Sequence, residues 1–165
     1  MLQVSQSPIT YIKWINGNIK SVPLNLRNNP DTKVFTSGRT EIRGEIIMLK
    51  KDFETLNHRR EQEGLPVFAN PRNLAAGTIR QLDPKLVADR PLNFRAYDLI
   101  RSDTSQISTY EITYKTIRSL GVAANNEASV FKSIDDVMKF IDKWETERHN
   151  LPFNTDGLVV KVNDR

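Results

Sequence analysis

Apolar and polar residues alternate with a period of two in three segments of the chain. This alternation predicts β-strands over residues 41–49, 90–100 and 156–164. In the first of them the charged side chains, Arg43 and Glu45 among them, lie on the face opposite to the apolar one. The pattern therefore predicts a small sheet with one polar face.

Helical spacing of apolar residues, with capping residues at the ends, predicts four helices. They cover residues 52–63, 72–81, 109–121 and 133–150. Strands and helices that follow one another in this order predict an α+β fold, with antiparallel sheets flanked by helices. The apolar stripe of the last helix is predicted to lie in the core; it consists of Ile134, Val137, Met138, Ile141 and Trp144.

Local residue chemistry predicts where these helices begin and end. Asp52 is predicted to cap the first helix and Asn70 the second, because short polar side chains accept hydrogen bonds from the first free backbone N–H groups. Ser133 opens the last helix with an acid three residues later, a capping-box pattern. Gly64 and Gly121 are predicted to end their helices.

The stretch VFANPRNLAAGTIRQLD, residues 67–83, combines a helix start with two arginines. Arg72 and Arg80 are eight residues apart, so on a helix they lie within about 80° of each other. The small residues between them leave room for a bulky anionic ligand to approach the backbone. The stretch therefore predicts a site for a phosphate-rich ligand.

Composition narrows the protein class. The chain has 165 residues, 38% of them hydrophobic and 27% charged, with a net charge of +4, which is compatible with a nucleic-acid partner. The absence of cysteine excludes disulfides and thiolate metal sites, and the two histidines leave few ligands for a structural zinc. No run is long enough for a membrane span and no leader resembles a signal peptide, so a cytoplasmic protein without membrane contact is expected.

Two charged positions leave alternatives open. The acids and arginine at the start of the strand at 41–49 fit the floor of a polar cleft, or else an exposed face with cross-strand ion pairs. Lys161 lies in an otherwise apolar predicted strand. Its ammonium either meets an anionic group or protects the edge of the sheet.

In this order the segments EIRGEI, FANPRNLAAGTIRQLDP and DGLVVKVND resemble the nucleotidyltransferase (adenylation) domain of bacterial NAD+-dependent DNA ligases. The middle segment carries most of the resemblance, since motifs such as D-G-x-x-x-K also occur in ATP-dependent ligases, RNA ligases and capping enzymes. The resemblance covers residues 21–165 and implies an incomplete nucleotidyltransferase core of the ATP-grasp-like ligase type. Residues 1–20 are an unplaced or divergent start.

The resemblance also implies roles for five residues. Glu45 and Asp156 would hold Mg2+ through water beside the adenylate, and Lys161 would contact the adenine or the AMP phosphate. Arg72 and Arg80 would bind the phosphates around a DNA nick. The implied cofactors are NAD+, as AMP donor, and Mg2+. All five groups are expected to converge on one hollow.

The chain departs from the family at the nucleophile. It contains no K-x-D-G, and the nearest string is KWING, which begins at Lys13. We therefore expect a partial adenylation domain that is inactive alone, whose partners are nicked duplex DNA and the remaining ligase domains. Self-association through exposed sheet edges is a further expectation. The alternatives are a non-catalytic nucleic-acid-binding module related to ligases and, more distantly, a relative of ATP-dependent ligases or capping enzymes.

Overall fold

The structure is a computed structural model. It describes residues 19, 21–23, 25–27, 29–30, 32–36, 38–80, 84–101, 103, 105–126 and 128–165. Lys13, and all of residues 1–20 except Ile19, lie outside the described residues, as does Gln81 at the predicted end of the second helix.

The described residues form an α+β fold, which confirms the predicted class. The strands are β1 (Thr40–Ile47) and β2 (Asn93–Arg101), and they pair as a two-stranded antiparallel sheet. The helices are α1 (Lys50–Gln62), α2 (Pro71–Ile79), α3 (Pro84–Ala88), α4 (Tyr110–Ser119) and α5 (Ile134–Glu147). Short 3-10 helices span Lys33–Thr36 and Arg148–Asn150.

The chain divides into two compact units. The first unit consists of Met1–Asn25 and Ile46–Phe94, and the second consists of Leu26–Glu45 and Arg95–Arg165. None of the helices in the described ranges combines the length and the apolar composition that crossing a bilayer requires.

The core of the first unit is built from apolar residues of α1, α2 and α3 and of the segments around them. Its buried members are Ile19, Met48, Leu56, Leu74, Ala75, Val87 and Leu92. Phe53 packs against this cluster and Leu56 is buried, so these two side chains lie on the inward face of α1. Gly64 adopts φ of 68°, which confirms the predicted stop after α1.

The predicted cap of α1 is wrong. Leu49 occupies the N-cap position without a side-chain hydrogen bond, and Asp52 lies inside the first turn. A carboxylate in the first turn still interacts favourably with the positive end of the helix dipole. The charge of Asp52 therefore favours the start of the helix, but the N-cap position lies three residues before it, at Leu49.

The core of the second unit is formed by β2, α4 and the loops that follow them. Its buried apolar residues include Ala96, Leu99, Ile107, Ile117, Leu120, Val122 and Ala124. Thr109 caps α4 by accepting a hydrogen bond from the N–H of Ile112. Gly121 follows α4 with φ of 85°, and a Cβ there would lie 3.0 Å from the side chain of Arg27, so the predicted glycine stop is confirmed.

The prediction that the α5 stripe lies in a core is wrong. Ser133 caps the helix as predicted, since its hydroxyl accepts from the N–H of Asp136 and donates to the Asp136 carboxylate. However, α5 has no buried residue, and Ile134 and Met138 are 68% and 53% exposed. Amphipathic spacing specifies which face is apolar, but burial also needs a facing element, and the described residues supply too little contact to cover this face.

The predicted strand at 156–164 is also absent. Residues 157–162 make no β-ladder, and Val159, Val160 and Val162 are 79%, 61% and 79% exposed. The segment pairs at one point, an antiparallel bridge between Asp164 and Thr109. A strand needs a neighbour for its backbone N–H and C=O groups, and alternation in sequence does not supply one.

Candidate functional site

The start of α2 is shaped by Asn70. Its Oδ1 accepts hydrogen bonds from the backbone N–H groups of Arg72, at 2.8 Å, and Asn73, at 3.3 Å. Pro71 occupies the first turn, where a missing N–H costs nothing. The predicted cap is confirmed, and it fixes the backbone at the position of Arg72.

The two arginines of this stretch lie on the outer side of α2. Arg72, Ala76 and Arg80 are exposed and four residues apart, while Leu74, Ala75 and Thr78 are buried on the other side. A Cβ added at Gly77 would contact nothing within 4 Å, so the helix surface there is open. Arg72 and Arg80 therefore lie on the exposed side of α2, as their spacing predicts, while room for an anionic ligand between them stays a prediction.

The polar face of β1 carries a network of ion pairs around Glu41. Its carboxylate accepts from Arg43 Nε at 2.7 Å and from Arg39 Nη2 at 3.2 Å. The hydrogen bond from Arg43 is the main cause that lowers the pKa of Glu41, and the same bond raises the pKa of Arg43. Arg43 and Glu41 belong to β1 and Arg39 directly precedes it, so these ion pairs are local to one segment, whereas the exposed-face interpretation expected them across strands.

Glu45 is exposed and forms no ion pair within the described part of the chain. Asp156 is also exposed and precedes Gly157. Among the described residues, no group of three or more acids or histidines is close enough to hold a metal ion by itself. A magnesium site at Glu45 and Asp156 would therefore complete its coordination with water or phosphate oxygens.

Lys161 contacts an aromatic ring. Its Nζ lies 4.6 Å from the centroid of the Tyr110 ring at the start of α4. No carboxylate among the described residues pairs with it. Because residues 157–162 form no strand here, edge protection does not describe this lysine in the structure.

The segment that carries Lys161 is anchored to the start of α4. The Tyr110 N–H donates to Asn163 O at 2.9 Å, and the Glu111 N–H donates to Asn163 Oδ1 at 3.1 Å. These two bonds satisfy N–H groups of the first helical turn that have no partner inside the helix. Sequence alone did not predict this role of Tyr110, because a lysine and an aromatic residue that are 51 positions apart give no local signal of pairing.

The five predicted site residues are divided between the two units. Arg72 and Arg80 belong to the first unit, and Glu45, Asp156 and Lys161 belong to the second. Each of them is exposed to solvent, so each is accessible to a ligand. Their convergence on one hollow stays a prediction.

Comparison with known proteins gives a consistent match. The family described as NAD-dependent DNA ligase adenylation domain matches residues 14–165. The chain is 46% identical over 145 residues to a DNA ligase of Koribacter versatilis, covering 88% of this chain and 22% of that protein. It is 41% identical over 148 residues to a DNA ligase of Thermomicrobium roseum, with coverages of 89% and 21%. The chain thus spans about a fifth of the length of these relatives.

Proposed function

The chain belongs to the family of NAD-dependent DNA ligase adenylation domains, and from that membership we propose that it forms part of the adenylate site of an NAD+-dependent DNA ligase. Such an enzyme seals nicks in duplex DNA through enzyme–AMP and DNA–adenylate intermediates. The observation that carries the proposal is the family match, which covers residues 14–165 and therefore all five candidate residues.

Glu45 and Asp156 are proposed to hold Mg2+ through water. Both carboxylates are exposed, and Glu45 forms no ion pair with a lysine or arginine among the described residues. Hard oxygen donors with room for water are what Mg2+ prefers. When bound, the ion would neutralise charge on the adenylate phosphate. The protein's own contribution is to present the two carboxylates on β1 and on the loop before Gly157.

Lys161 is proposed to contact the AMP moiety. Its cation–π contact with Tyr110 is worth about 0.5–1 kcal/mol at an exposed site, so the ammonium can leave the ring when a phosphate is present. Arg72 and Arg80 are proposed to bind phosphates beside the nick, using the planar donor sets of their guanidinium groups. These groups act by positioning and by charge neutralisation.

The nucleophile is proposed to lie outside this sequence. In the family, the lysine amine of K-x-D-G attacks the AMP phosphorus of NAD+, forms a phosphoramidate and displaces nicotinamide mononucleotide. Because the chain has no K-x-D-G, we expect no covalent AMP adduct when it is incubated alone with labelled NAD+ and Mg2+. An adduct on Lys13 would instead identify KWING as the nucleophile site.

The activity test uses a chimera. Residues 14–165 replace the matching segment of the Koribacter versatilis ligase, which is 46% identical. We expect the chimera to form enzyme–AMP and to seal nicks, and Glu45→Ala, Asp156→Ala or Lys161→Ala to reduce these steps at least tenfold. Lys132→Ala, an exposed lysine elsewhere in the same unit, is the control. A folded chimera in which all three variants retain full activity would contradict the proposed roles.

A non-catalytic nucleic-acid-binding module is the second candidate function. The exposed arginines of α2 and the net charge of +4 favour it. The two functions differ in their response to a nick: a ligase segment should bind a nicked duplex more tightly than an intact one, and a general module should bind both equally. The wider proposal, a bacterial cytoplasmic enzyme of DNA replication and repair with further ligase domains, follows from the family alone.

A further inference from the structure

Two arginines of the first unit contact one aromatic ring. The guanidinium carbon of Arg60 lies 4.4 Å from the centroid of the Phe68 ring, and that of Arg90 lies 5.2 Å from it. The two carbons are therefore at most 9.6 Å apart, the sum of these distances. Two positive charges thus lie within about one Debye length at 0.1 M salt.

Hydrogen bonds hold both guanidinium groups and the ring in place. Asn57 Nδ2 donates to Phe68 O and Asn57 Oδ1 accepts from the Phe68 N–H, both at 2.8 Å. Arg60 Nε donates to Pro66 O at 2.6 Å, and Arg90 Nη1 donates to Thr78 Oγ1 at 3.0 Å. The arginine conformations are therefore fixed before any ligand arrives, which lowers the entropy cost of binding.

The charges of this arginine pair are not neutralised within the described part of the chain. Neither Arg60 nor Arg90 forms an ion pair there with an aspartate or glutamate. Each guanidinium has five N–H donors and uses one of them in the bonds above. Both side chains are half-buried, so part of their hydration is already lost.

Packing alone is the other explanation for the arrangement. One stacked arginine would be enough to fix Phe68, and a second adds charge repulsion that no ion pair among the described residues offsets. Fixed arginines with unused donors are suited to planar or tetrahedral oxyanions, above all phosphate. The geometry therefore favours an anion site over a purely structural contact.

We propose that Arg60 and Arg90 bind phosphates of the duplex DNA backbone, in addition to the phosphates assigned to Arg72 and Arg80. The choice of DNA as the source of phosphate rests on the proposed function. Phe68 is two residues before Asn70, the cap of α2, so the arginine pair and the α2 arginines belong to one contiguous stretch of the first unit. The group that the two arginines would bind is the backbone phosphodiester, so this contact would not depend on the base sequence of the DNA.

The test measures duplex binding by the 165-residue chain at several salt concentrations. Fluorescence anisotropy of a labelled intact duplex between about 50 and 200 mM NaCl yields the slope of log Kobs against log salt. Arg60→Gln and Arg90→Gln should each reduce the magnitude of this slope by about one, and the double variant by about two. Arg60→Lys and Arg90→Lys retain the charge and should retain the slope.

Arg59→Gln is the matched control. It removes the same charge from the next position of α1, where the side chain is exposed and makes no described aromatic contact. Its effect on the slope should be clearly smaller. Thermal unfolding of every variant separates folding from binding, because Arg90 also supports the buried Thr78.

The outcomes distinguish this proposal from the proposed function. If both glutamine variants keep the wild-type slope, or if Arg59→Gln lowers it equally, the arginine pair is not a phosphate site. If inorganic phosphate or AMP raises the unfolding temperature of the chain, while the glutamine variants bind the duplex as the wild type does, the site takes a small anion. The proposal would then be wrong. Equal binding of nicked and intact duplex would count against the proposed ligase function but would not contradict the proposal that Arg60 and Arg90 bind phosphates.

Discussion

Arg165 donates a charged hydrogen bond to Asp98: its Nη2 lies 2.8 Å from Oδ1, and the two side chains are only 16% and 18% exposed. Arg165 Nη1 also donates to Leu99 O at 2.8 Å and to Thr113 Oγ1 at 2.9 Å. One guanidinium thus joins β2, α4 and the segment that carries Lys161. We infer that this ion pair keeps Lys161 at the start of α4.

Removing either partner of this pair should destabilise the second unit. Asp98→Asn or Arg165→Gln leaves a charge that is about four-fifths buried without its partner, so we expect a loss of about 2 kcal/mol in the free energy of unfolding. Urea denaturation of the single variants checks this value. The double variant should lose less than the sum of the two, and strict additivity would show that the pair is not coupled.

The contact between Lys161 and Tyr110 should be visible by NMR. Ring currents of Tyr110 should shift the Lys161 Cε protons upfield, since Nζ lies 4.6 Å from the ring centroid. Tyr110→Phe keeps a ring and should keep the shift, while Tyr110→Leu should abolish it. An identical Lys161 signal in all three proteins would place the ammonium away from this ring.

Matched isoleucine variants test the difference between the buried face of α4 and the exposed face of α5. Ile117 is fully buried, so Ile117→Ala should cost about 2–5 kcal/mol in the free energy of unfolding. Ile134 is 68% exposed, and Ile134→Ala should change it by about 0.5 kcal/mol or less. A large loss from the second variant would mean that the α5 stripe is covered in solution.

Burial raises the pKa of Tyr114, and the nearby charge of Asp98 adds to the effect. The unfolded chain, with an ordinary tyrosine pKa of about 10, therefore loses the phenol proton at lower pH than the folded chain. Tyr114 thus contributes stability that is present below about pH 10 and lost as the pH rises further. NMR titration of the ring carbons should show Tyr114 titrating above pH 10, and Tyr114→Phe should remove part of the alkaline loss of stability.

Elements whose signals are local could be predicted from sequence. The Asn70 and Ser133 caps, the glycine stops at Gly64 and Gly121 and the strand at β1 depend on contacts between near neighbours in the chain. The same local logic placed Arg72 and Arg80 on one side of α2. Asp52 is the exception, because a first-turn acid and an N-cap acid look alike in sequence.

Burial and pairing depended on distant residues. The spacing of α5 and of residues 158–162 determines an apolar face in each case, but only a facing helix or a neighbouring strand can cover it. The contacts of Lys161 with Tyr110, of Arg165 with Asp98 and of the Arg60–Arg90 pair with Phe68 are likewise tertiary.

Sequence by itself determined the family resemblance, the helix ends and the residue types of the candidate site, because these depend on side-chain identity and on spacing along the chain. Only the tertiary structure decided which apolar faces are buried and which group each cation meets. The physical reason is that burial free energy and electrostatic energy depend on distances in space, which backbone periodicity does not contain.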